Sequence, residues 1–223
     1  LKDIARIGIP TGIQACLFSV ANIVIQGAIN SYGSVVMAGV SAAMSIENFL
    51  YLSMNAFQQS CQTFISQNLG AGEYGRIGRV MRTCLWCTVV LGIAQSILAV
   101  LFAGPLVSIY NTDPAVVQAG ILRLWIVGST YTLWGLSDVL MGGIRGYGIS
   151  LSPMLINLVG TCGVRLIWIA LLDTPNVSEG WVHFSFPMSW VCLLAVLAPY
   201  WIHLRRKEAR MLASEGTTEI PDA

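Results

Sequence analysis

The sequence predicts an all-α membrane protein, a bundle of six transmembrane helices. Of the 223 residues, 55% are hydrophobic and only 10% are charged, and the mean hydropathy is +0.69. Soluble globular domains carry roughly 25% charged residues, so this composition excludes an ordinary soluble core. A span needs about 20 apolar residues, because the backbone must satisfy its own hydrogen bonds in lipid, and the chain has room for about six.

Turn-forming residues separate the first three predicted helices. The first charge-free stretch is too long for one helix, and the turn-rich segment 30–33 divides it. Gly70 and Gly72 then end the second helix as C-terminal caps, and the Gly104–Pro105 pair ends the third. These three helices are predicted at about 4–28, 36–69 and 78–106.

Capping residues also place the last three helices. Asp113 is a candidate N-cap, with Pro114 at the first helical position, and Pro153 lies in the first turn of the fifth helix. The sixth helix begins near Trp181 and ends where a run of basic residues follows His203. These helices are predicted at about 114–143, 152–172 and 181–203, followed by a polar tail over 205–223.

Basic residues alternate between the connections. Lys2 and Arg6 lie at the N-terminal end of the first helix, and further Lys and Arg occupy the second connection, the fourth connection and the tail. The first, third and fifth connections contain none. Positively charged loops are retained in the cytoplasm, so this alternation predicts an even number of spans with both termini cytoplasmic.

Several functional classes are disfavoured by the sequence. It contains no HExxH, GxSxG or GxxxxGK[ST] motif, so an enzyme is not expected. It also lacks a basic patch with interleaved aromatic residues, so a nucleic-acid partner is not expected. Cys84 and Cys87 form a CxxC without a second pair or a nearby histidine, so neither a metal site nor a cofactor is expected.

Polar side chains recur inside the predicted spans at helical spacing. They form one stripe on the second helix, where Gln58 and Gln59 are alternatives at one position, a looser stripe on the first helix and a group on the fourth. We expect the three stripes to converge on a solute cavity. The candidate cavity residues are Gln14, Asn22, Gln26, Asn48, Tyr51, Asn55, Gln59, Gln62, Thr130 and Trp134.

These polar stripes have two interpretations. The amides could hydrogen-bond between helices and only hold the bundle together, at about 0.6 kcal/mol per contact. We favour a water-filled cavity, because interhelical adhesion needs one or two such residues and this chain has more than ten. Tyr51 and Trp134 would suit organic cations through cation–π contacts, although simple packing would also explain them.

Four ionisable residues lie within the predicted spans. Glu47, Arg123 and Arg165 fall at similar depths, roughly 10 to 15 Å from the predicted outer helix ends, and we expect them to form a structural ion cluster, because an unpaired charge in lipid is costly. Asp138 lies nearer the cytoplasmic end, with Arg145 two turns away. It is the candidate site for a coupling Na⁺ or H⁺.

Four segments resemble the second half of multidrug and toxic compound extrusion (MATE) transporters. They are GIPTGIQACLFSVANIVIQGAINSYG, QTFISQNLGAGEYGRIGRVMRTC, LFAGPLVSIYNTDPAVVQAG and GGIRGYGISLSPMLINLVGTCGVRLIW. The resemblance implies one lobe of a twelve-helix, Na⁺- or H⁺-coupled exporter of drug-like, often cationic compounds. It also implies a bacterial inner membrane, a cavity lined by the first, second and fourth helices, and three partners: lipid, a small-molecule substrate and an N-terminal six-helix lobe.

The chain departs from this family at its expected acids. Some branches place a coupling carboxylate midway along the first helix of this lobe, where the region around Phe18 has none. Asp138 lies one turn later than the family acid to which we compare it. A lipid-linked oligosaccharide or lipid flippase of the same superfamily is an alternative that predicts a more cationic cavity, and a non-transport membrane scaffold is a further one.

Overall fold

A computed structural model describes residues 2–171 and 178–218, with side chains for 12, 13, 16, 18–171 and 178–211. All secondary-structure elements of this part are helical. The α-helices are α1 (Lys2–Asn30), α2 (Ser34–Gly70), α3 (Tyr74–Leu101), α4 (Ala103–Ser108), α5 (Pro114–Ile126), α6 (Tyr131–Gly146), α7 (Leu151–Asn157), α8 (Val164–Leu171) and α9 (Glu179–Thr218).

The helices assemble into the predicted transmembrane bundle. Within the described part, five helical stretches are long and apolar enough to cross a membrane, and α1, with 29 residues, contributes the shorter apolar segment Phe18–Asn30. The five stretches are Ser34–Gly70, Tyr74–Leu101, Pro114–Gly146, Leu151–Leu171 and Glu179–Met211. The predicted all-α membrane fold is therefore confirmed.

Three predicted helices are interrupted in the structure. The third was predicted to continue to residue 106, but α3 ends at Leu101 and α4 begins at Ala103. Pro105 explains the break, because its ring clashes with the carbonyl of Leu101, four residues earlier, and it has no N–H to donate. The start of this helix also differs from the prediction, since α3 begins at Tyr74, one turn before the predicted residue 78.

The fourth predicted helix divides into α5 and α6 at the 3₁₀ turn Gly128–Thr130. Ser129 Oγ donates to the carbonyl of Trp125 at 2.5 Å, and Thr130 Oγ1 donates to that of Ile126 at 2.9 Å. Such bonds to the carbonyl four residues earlier bend helices. As predicted for its start, Asp113 caps α5 by accepting from the backbone N–H of Ala115 at 2.9 Å.

The fifth predicted helix contains a wider turn. The π-helix Leu158–Gly163 separates α7 from α8, and its Thr161 hydroxyl donates to Oδ1 of Asn157 at 2.8 Å. Single π turns inside α-helices occur frequently at functional sites. The predicted last residue of this helix, 172, lies outside the described residues.

The sixth helix is longer than predicted. Its end was placed at His203, where the charged residues begin, but α9 continues to Thr218 through most of the predicted tail. Arg205 and Glu208 pair one turn apart, and Tyr147 Oη donates to Glu208 Oε2 at 2.9 Å. A helix does not require apolar residues, so the charged segment after His203 can remain helical. Side-chain pairs such as Arg205–Glu208 stabilise it.

Helix α2 is the centre of the bundle and packs on α3, α5 and α6. Its closest approach to α5 is at Gly39, where an added Cβ would lie 2.5 Å from the carbonyl oxygen of Val116. Gly142 plays the same part in α6, since a Cβ there would lie 2.6 Å from the carbonyl oxygen of Gln58. Glycine therefore allows these helices to approach within backbone contact.

Candidate functional site

A polar cavity of about 430 Å³ lies between the helices. Five of the six predicted spans contribute residues to it, and the span formed by α3 and α4 does not. Its lining residues are Phe18, Asn22, Glu47, Tyr51, Asn55, Gln58, Tyr131, Trp134, Asp138, Met141, Arg145, Asn157, Thr161, Arg165, Phe186 and Trp190.

Helix α2 provides a continuous polar wall. Glu47, Tyr51, Asn55 and Gln58 are spaced by four, four and three residues, which places them on one face of the helix. Gln58 is only 5% exposed, and its Nε2 donates to Oε1 of Gln62 at 3.1 Å. The wall therefore presents a carboxylate, a phenol and two amides to the cavity.

Aromatic rings line the middle of the cavity. The Trp134 ring centroid lies 5.1 Å from that of Tyr51 and 5.4 Å from that of Tyr131. Tyr131 also meets Trp190 edge to face at 5.7 Å. These distances are typical of favourable aromatic pairs, so the four rings form a connected wall joining α2, α6 and α9.

Asp138 marks one end of the cavity. Asp138 is 8% exposed, and its carboxyl has Asn55 and Arg145 as polar neighbours. Asp138 Oδ2 is buried and accepts no hydrogen bond from the described residues. A buried carboxylate oxygen without a donor is suited to hold a proton or a small cation.

Three charged residues and one aromatic ring form the other end. Arg123 donates to both carboxylate oxygens of Glu47, through Nε at 2.7 Å and Nη2 at 2.8 Å. The guanidinium carbons of Arg165 and Arg123 lie 4.1 and 4.8 Å, respectively, from the ring centroid of Phe186. The predicted ion cluster is thus brought together, but only two of its members form an ion pair.

The structure lines the cavity with some of the predicted residues and not with others. Asn22, Tyr51, Asn55 and Trp134 line it, as do Glu47, Arg165 and the predicted coupling residue Asp138. Asn48 and Gln59 are exposed, and Gln26 and Gln62 are half-buried outside the lining. Thr130 is not in the lining, and its hydroxyl donates to the carbonyl of Ile126. The side chain of Gln14 lies outside the described residues.

The choice between Gln58 and Gln59 shows why helical spacing alone was insufficient. Both positions fall near the stripe begun by Tyr51 and Asn55, since successive residues are about 100° apart on a helix. In the structure Gln58 lines the cavity, whereas Gln59 is exposed and donates to Asn55 Oδ1 at 2.5 Å. Packing of α6 against one edge of the stripe decides between the two amides.

Two lining helices were missing from the sequence prediction. Asn157, Thr161 and Arg165 recur every four residues, and this polar spacing was available in the sequence. Phe186 and Trp190 repeat at the same interval on α9, but aromatic residues at helical spacing usually indicate packing. The first, second and fourth predicted helices therefore supply only part of the wall.

The charges at the cavity do not cancel. Arg145 and Arg165 line it together with Glu47 and Asp138, while Arg123 stands behind the lining and pairs with Glu47. In the part of the chain that the structure describes, three guanidinium groups thus meet two carboxylates, an excess of one positive charge. Within the described side chains, no group of three or more His, Cys, Asp or Glu residues is arranged to hold a metal ion.

Comparisons with known proteins agree with this architecture. The family model described as MatE matches residues 10–171. The chain is 23% identical over 194 residues to "Probable multidrug resistance protein NorM" of Thermotoga maritima, covering 87% of this chain and 40% of that protein. It is 25% identical over 204 residues to "FAD transporter" of Shewanella oneidensis, covering 92% of this chain and 44% of that protein.

The fold is also that of solved transporters. An outward-facing multidrug resistance MATE family transporter of the MOP superfamily superimposes with a TM-score of 0.84 at 18% identity, covering 92% of this chain and 45% of that one. The chain spans about 40 to 45% of the length of these relatives. Since the family model matches well over half of its residues, the chain belongs to the MatE family.

Proposed function

We propose that this chain supplies one wall of the solute cavity in a cation-coupled exporter of drug-like organic compounds. Relatives in this family include proteins named for multidrug resistance, and the chain covers less than half of their length. The activity would therefore belong to a larger assembly, in which a second six-helix lobe supplies the opposite wall. Both termini of this lobe would lie in the cytoplasm of a bacterial cell, as the basic connections suggest.

The cavity itself carries the proposal. Amides and a carboxylate inside transmembrane helices are costly in lipid, so a cavity of about 430 Å³ that gathers them is a candidate for solute binding. Tyr51, Tyr131 and Trp134 would attract an organic cation through their ring faces and an uncharged drug through apolar contact.

Asp138 is the proposed coupling site. Its buried Oδ2 accepts no hydrogen bond from the described residues, so this oxygen is available to take a proton or to coordinate Na⁺. A cation on Asp138 and a cationic substrate in the same cavity would repel each other. Release of one on binding of the other is the physical basis of exchange.

The direct test substitutes cavity residues in the full-length protein. Asn55→Leu and Trp134→Leu should each reduce export of ethidium from energised proteoliposomes by at least fivefold, because each removes a polar or aromatic contact from the lining. Gln67→Leu is the matched control, since Gln67 is exposed on α2 and lies outside the lining. Unchanged export by folded Asn55→Leu and Trp134→Leu proteins would reject the cavity as the transport site.

A further inference from the structure

We propose that Arg165 forms an oxyanion-binding site at one end of the cavity, where it would take a carboxylate or phosphate group of an organic solute. This inference rests on the proposed transport function and extends it. Export of organic cations alone gives no role to an additional guanidinium in the binding cavity.

Most hydrogen-bond donors of Arg165 have no partner among the described residues. Its residue is 6% exposed, and its Nε donates to Ser189 Oγ at 3.1 Å. A guanidinium has five N–H donors. Among the described residues, no acceptor bonds to its two Nη atoms, which carry the other four N–H groups, and no carboxylate lies within ion-pairing distance. Because Arg165 lines the cavity, these donors are open to water or to a polar group of a ligand there.

The guanidinium is held in a fixed position. It lies over the Phe186 ring at 4.1 Å from the centroid, and Ser189 fixes its Nε edge from the same helix, α9. Arg165 itself lies on α8 and lines the cavity. Because two contacts orient the planar group and no described residue bonds to its Nη atoms, it is prepared for the two parallel hydrogen bonds that a carboxylate or phosphate accepts.

Among the described residues, no carboxylate forms an ion pair with Arg165. Glu47 is the nearest acidic candidate, but both of its oxygens already accept from Arg123. Asp138 neighbours Asn55, which lies eight residues from Glu47 on α2, or about 12 Å along the helix axis. The Arg165 end of the cavity is therefore positive by one charge within a membrane-spanning bundle, and an anionic ligand would balance it.

The groups between the Arg165 and Asp138 ends of the cavity indicate the class of ligand. An aromatic wall containing Tyr51, Tyr131 and Trp134 lies between Arg165 and Asp138. A solute that used both ends would carry an oxyanion, an apolar or aromatic body and, about 12 Å away, a cationic or hydrogen-bonding group. This is the chemistry of a zwitterionic or oxyanion-bearing organic compound and not of a simple organic cation.

Binding of two matched probes to the full-length protein in detergent tests the site. Dansylglycine and dansylglycinamide share a fluorophore and differ in a carboxylate against a neutral amide, and energy transfer from tryptophan reports their binding. The wild type should bind dansylglycine about tenfold more tightly, as expected for a charge-assisted pair. In Arg165→Gln this ratio should fall to about one, with dansylglycinamide binding unchanged.

Arg79→Gln is the matched control, because it removes the same charge at an exposed position of α3 outside the cavity lining. It should keep the preference for dansylglycine. If it abolishes that preference as completely as Arg165→Gln does, the effect is one of total charge and the site is rejected. Should Arg165→Gln not fold, Arg165→Lys carries the test: its ammonium lacks the planar fork, so the ratio should fall at least threefold, and an unchanged ratio overturns the proposal.

Competition for bound dansylglycine distinguishes the sources of the oxyanion. Acetate, methyl phosphate and dihexanoylphosphatidic acid represent a carboxylate, a soluble phosphate ester and a lipid headgroup. Displacement by any of them supports the site and identifies its preferred group, whereas displacement by none rejects it. If the wild type exports ethidium but binds the two probes equally, only the oxyanion-site proposal is rejected. If it binds neither probe and exports nothing, the transport proposal is contradicted as well.

Discussion

Glu47 of α2 and Arg123 of α5 form a buried, two-pronged ion pair across the bundle, with N–O distances of 2.7 and 2.8 Å. The arginine is 1% exposed and the glutamate 9%. His183 of α9 lies beside it, with Nδ1 at 3.5 Å from Arg123 Nη1. The pair therefore connects three spans at the Arg165 end of the cavity.

Removing one member of this pair should be strongly destabilising. We expect Glu47→Gln to lower the free energy of unfolding by about 3 kcal/mol, because it leaves a guanidinium buried without its anion. Thermal unfolding of the purified protein in detergent measures the loss. Glu73→Gln is the control, since Glu73 pairs with Arg76 on the surface at 3.6 Å and should change stability by less than about 0.5 kcal/mol. Equal losses in the two variants would contradict the expectation.

The close approach of α2 to α5 should be sensitive to a single methyl group. In Gly39→Ala the new Cβ would lie 2.5 Å from the Val116 carbonyl oxygen, and relief requires the two backbones to separate. We expect a loss of about 1–3 kcal/mol in unfolding free energy. Gly75→Ala meets nothing within 4 Å and should be neutral or slightly stabilising. A stable Gly39→Ala protein would mean that this helix contact is looser than described.

The end of α9 should have a characteristic dependence on pH. Burial raises the pKa of Tyr147, which lies between α6 and α7, to about 12, and the hydrogen bond to Glu208 contributes in the same direction. Arg205 also donates to Tyr147 Oη, at 3.0 Å. Since the folded pKa lies above the unfolded value of about 10, the protonated phenol stabilises the fold fully below pH 10.

This contribution should disappear as pH rises from about 10 to 12. Tyr147→Phe cannot titrate, so the stability difference between wild type and variant should shrink over that interval. Melting temperatures of both proteins measured from pH 8 to 11 provide the comparison. A difference that stays constant with pH would show that the Tyr147 proton contributes nothing to folding.

Substitution of Asp138 tests the coupling proposal separately from substrate binding. We expect Asp138→Asn to reduce ion-driven export by at least tenfold, because an amide cannot carry a proton or bind Na⁺ as a carboxylate does. Ethidium binding should remain within a few-fold of the wild-type value. Asp113→Asn is the control, since Asp113 only caps α5 and asparagine is an equally good N-cap. Full ion-driven export by Asp138→Asn would exclude this carboxyl as the coupling group.

Much of the cavity wall on α2 could be predicted because helical period is a local property. Tyr51 and Asn55 were identified from spacing alone, and both line the cavity. Helical spacing could not choose between adjacent candidates such as Gln58 and Gln59. It also did not identify the polar face of the fifth predicted helix. Asn157 and Thr161 are recognisable only as part of the series that ends at Arg165.

Helix interruptions depended on contacts that the periodic pattern does not describe. The proline-linked break at Leu101 follows from local chemistry and was available in the sequence. The 3₁₀ turn at Gly128–Thr130 was not, because serine and threonine hydroxyls also occur inside straight helices. The extension of α9 to Thr218 was missed because the prediction took the loss of apolar residues as a helix end.

The sequence by itself determined the membrane-spanning class and part of the polar faces, because hydropathy and helical period are properties of neighbouring residues. Only the tertiary structure decided how the buried charges are distributed. Glu47 and Arg123 are 76 residues apart and fell at the same predicted depth as Arg165, so depth could not select the pair. The packing of α2 against α5 brings Arg123 to the carboxylate, and it leaves Arg165 facing the cavity beside Phe186.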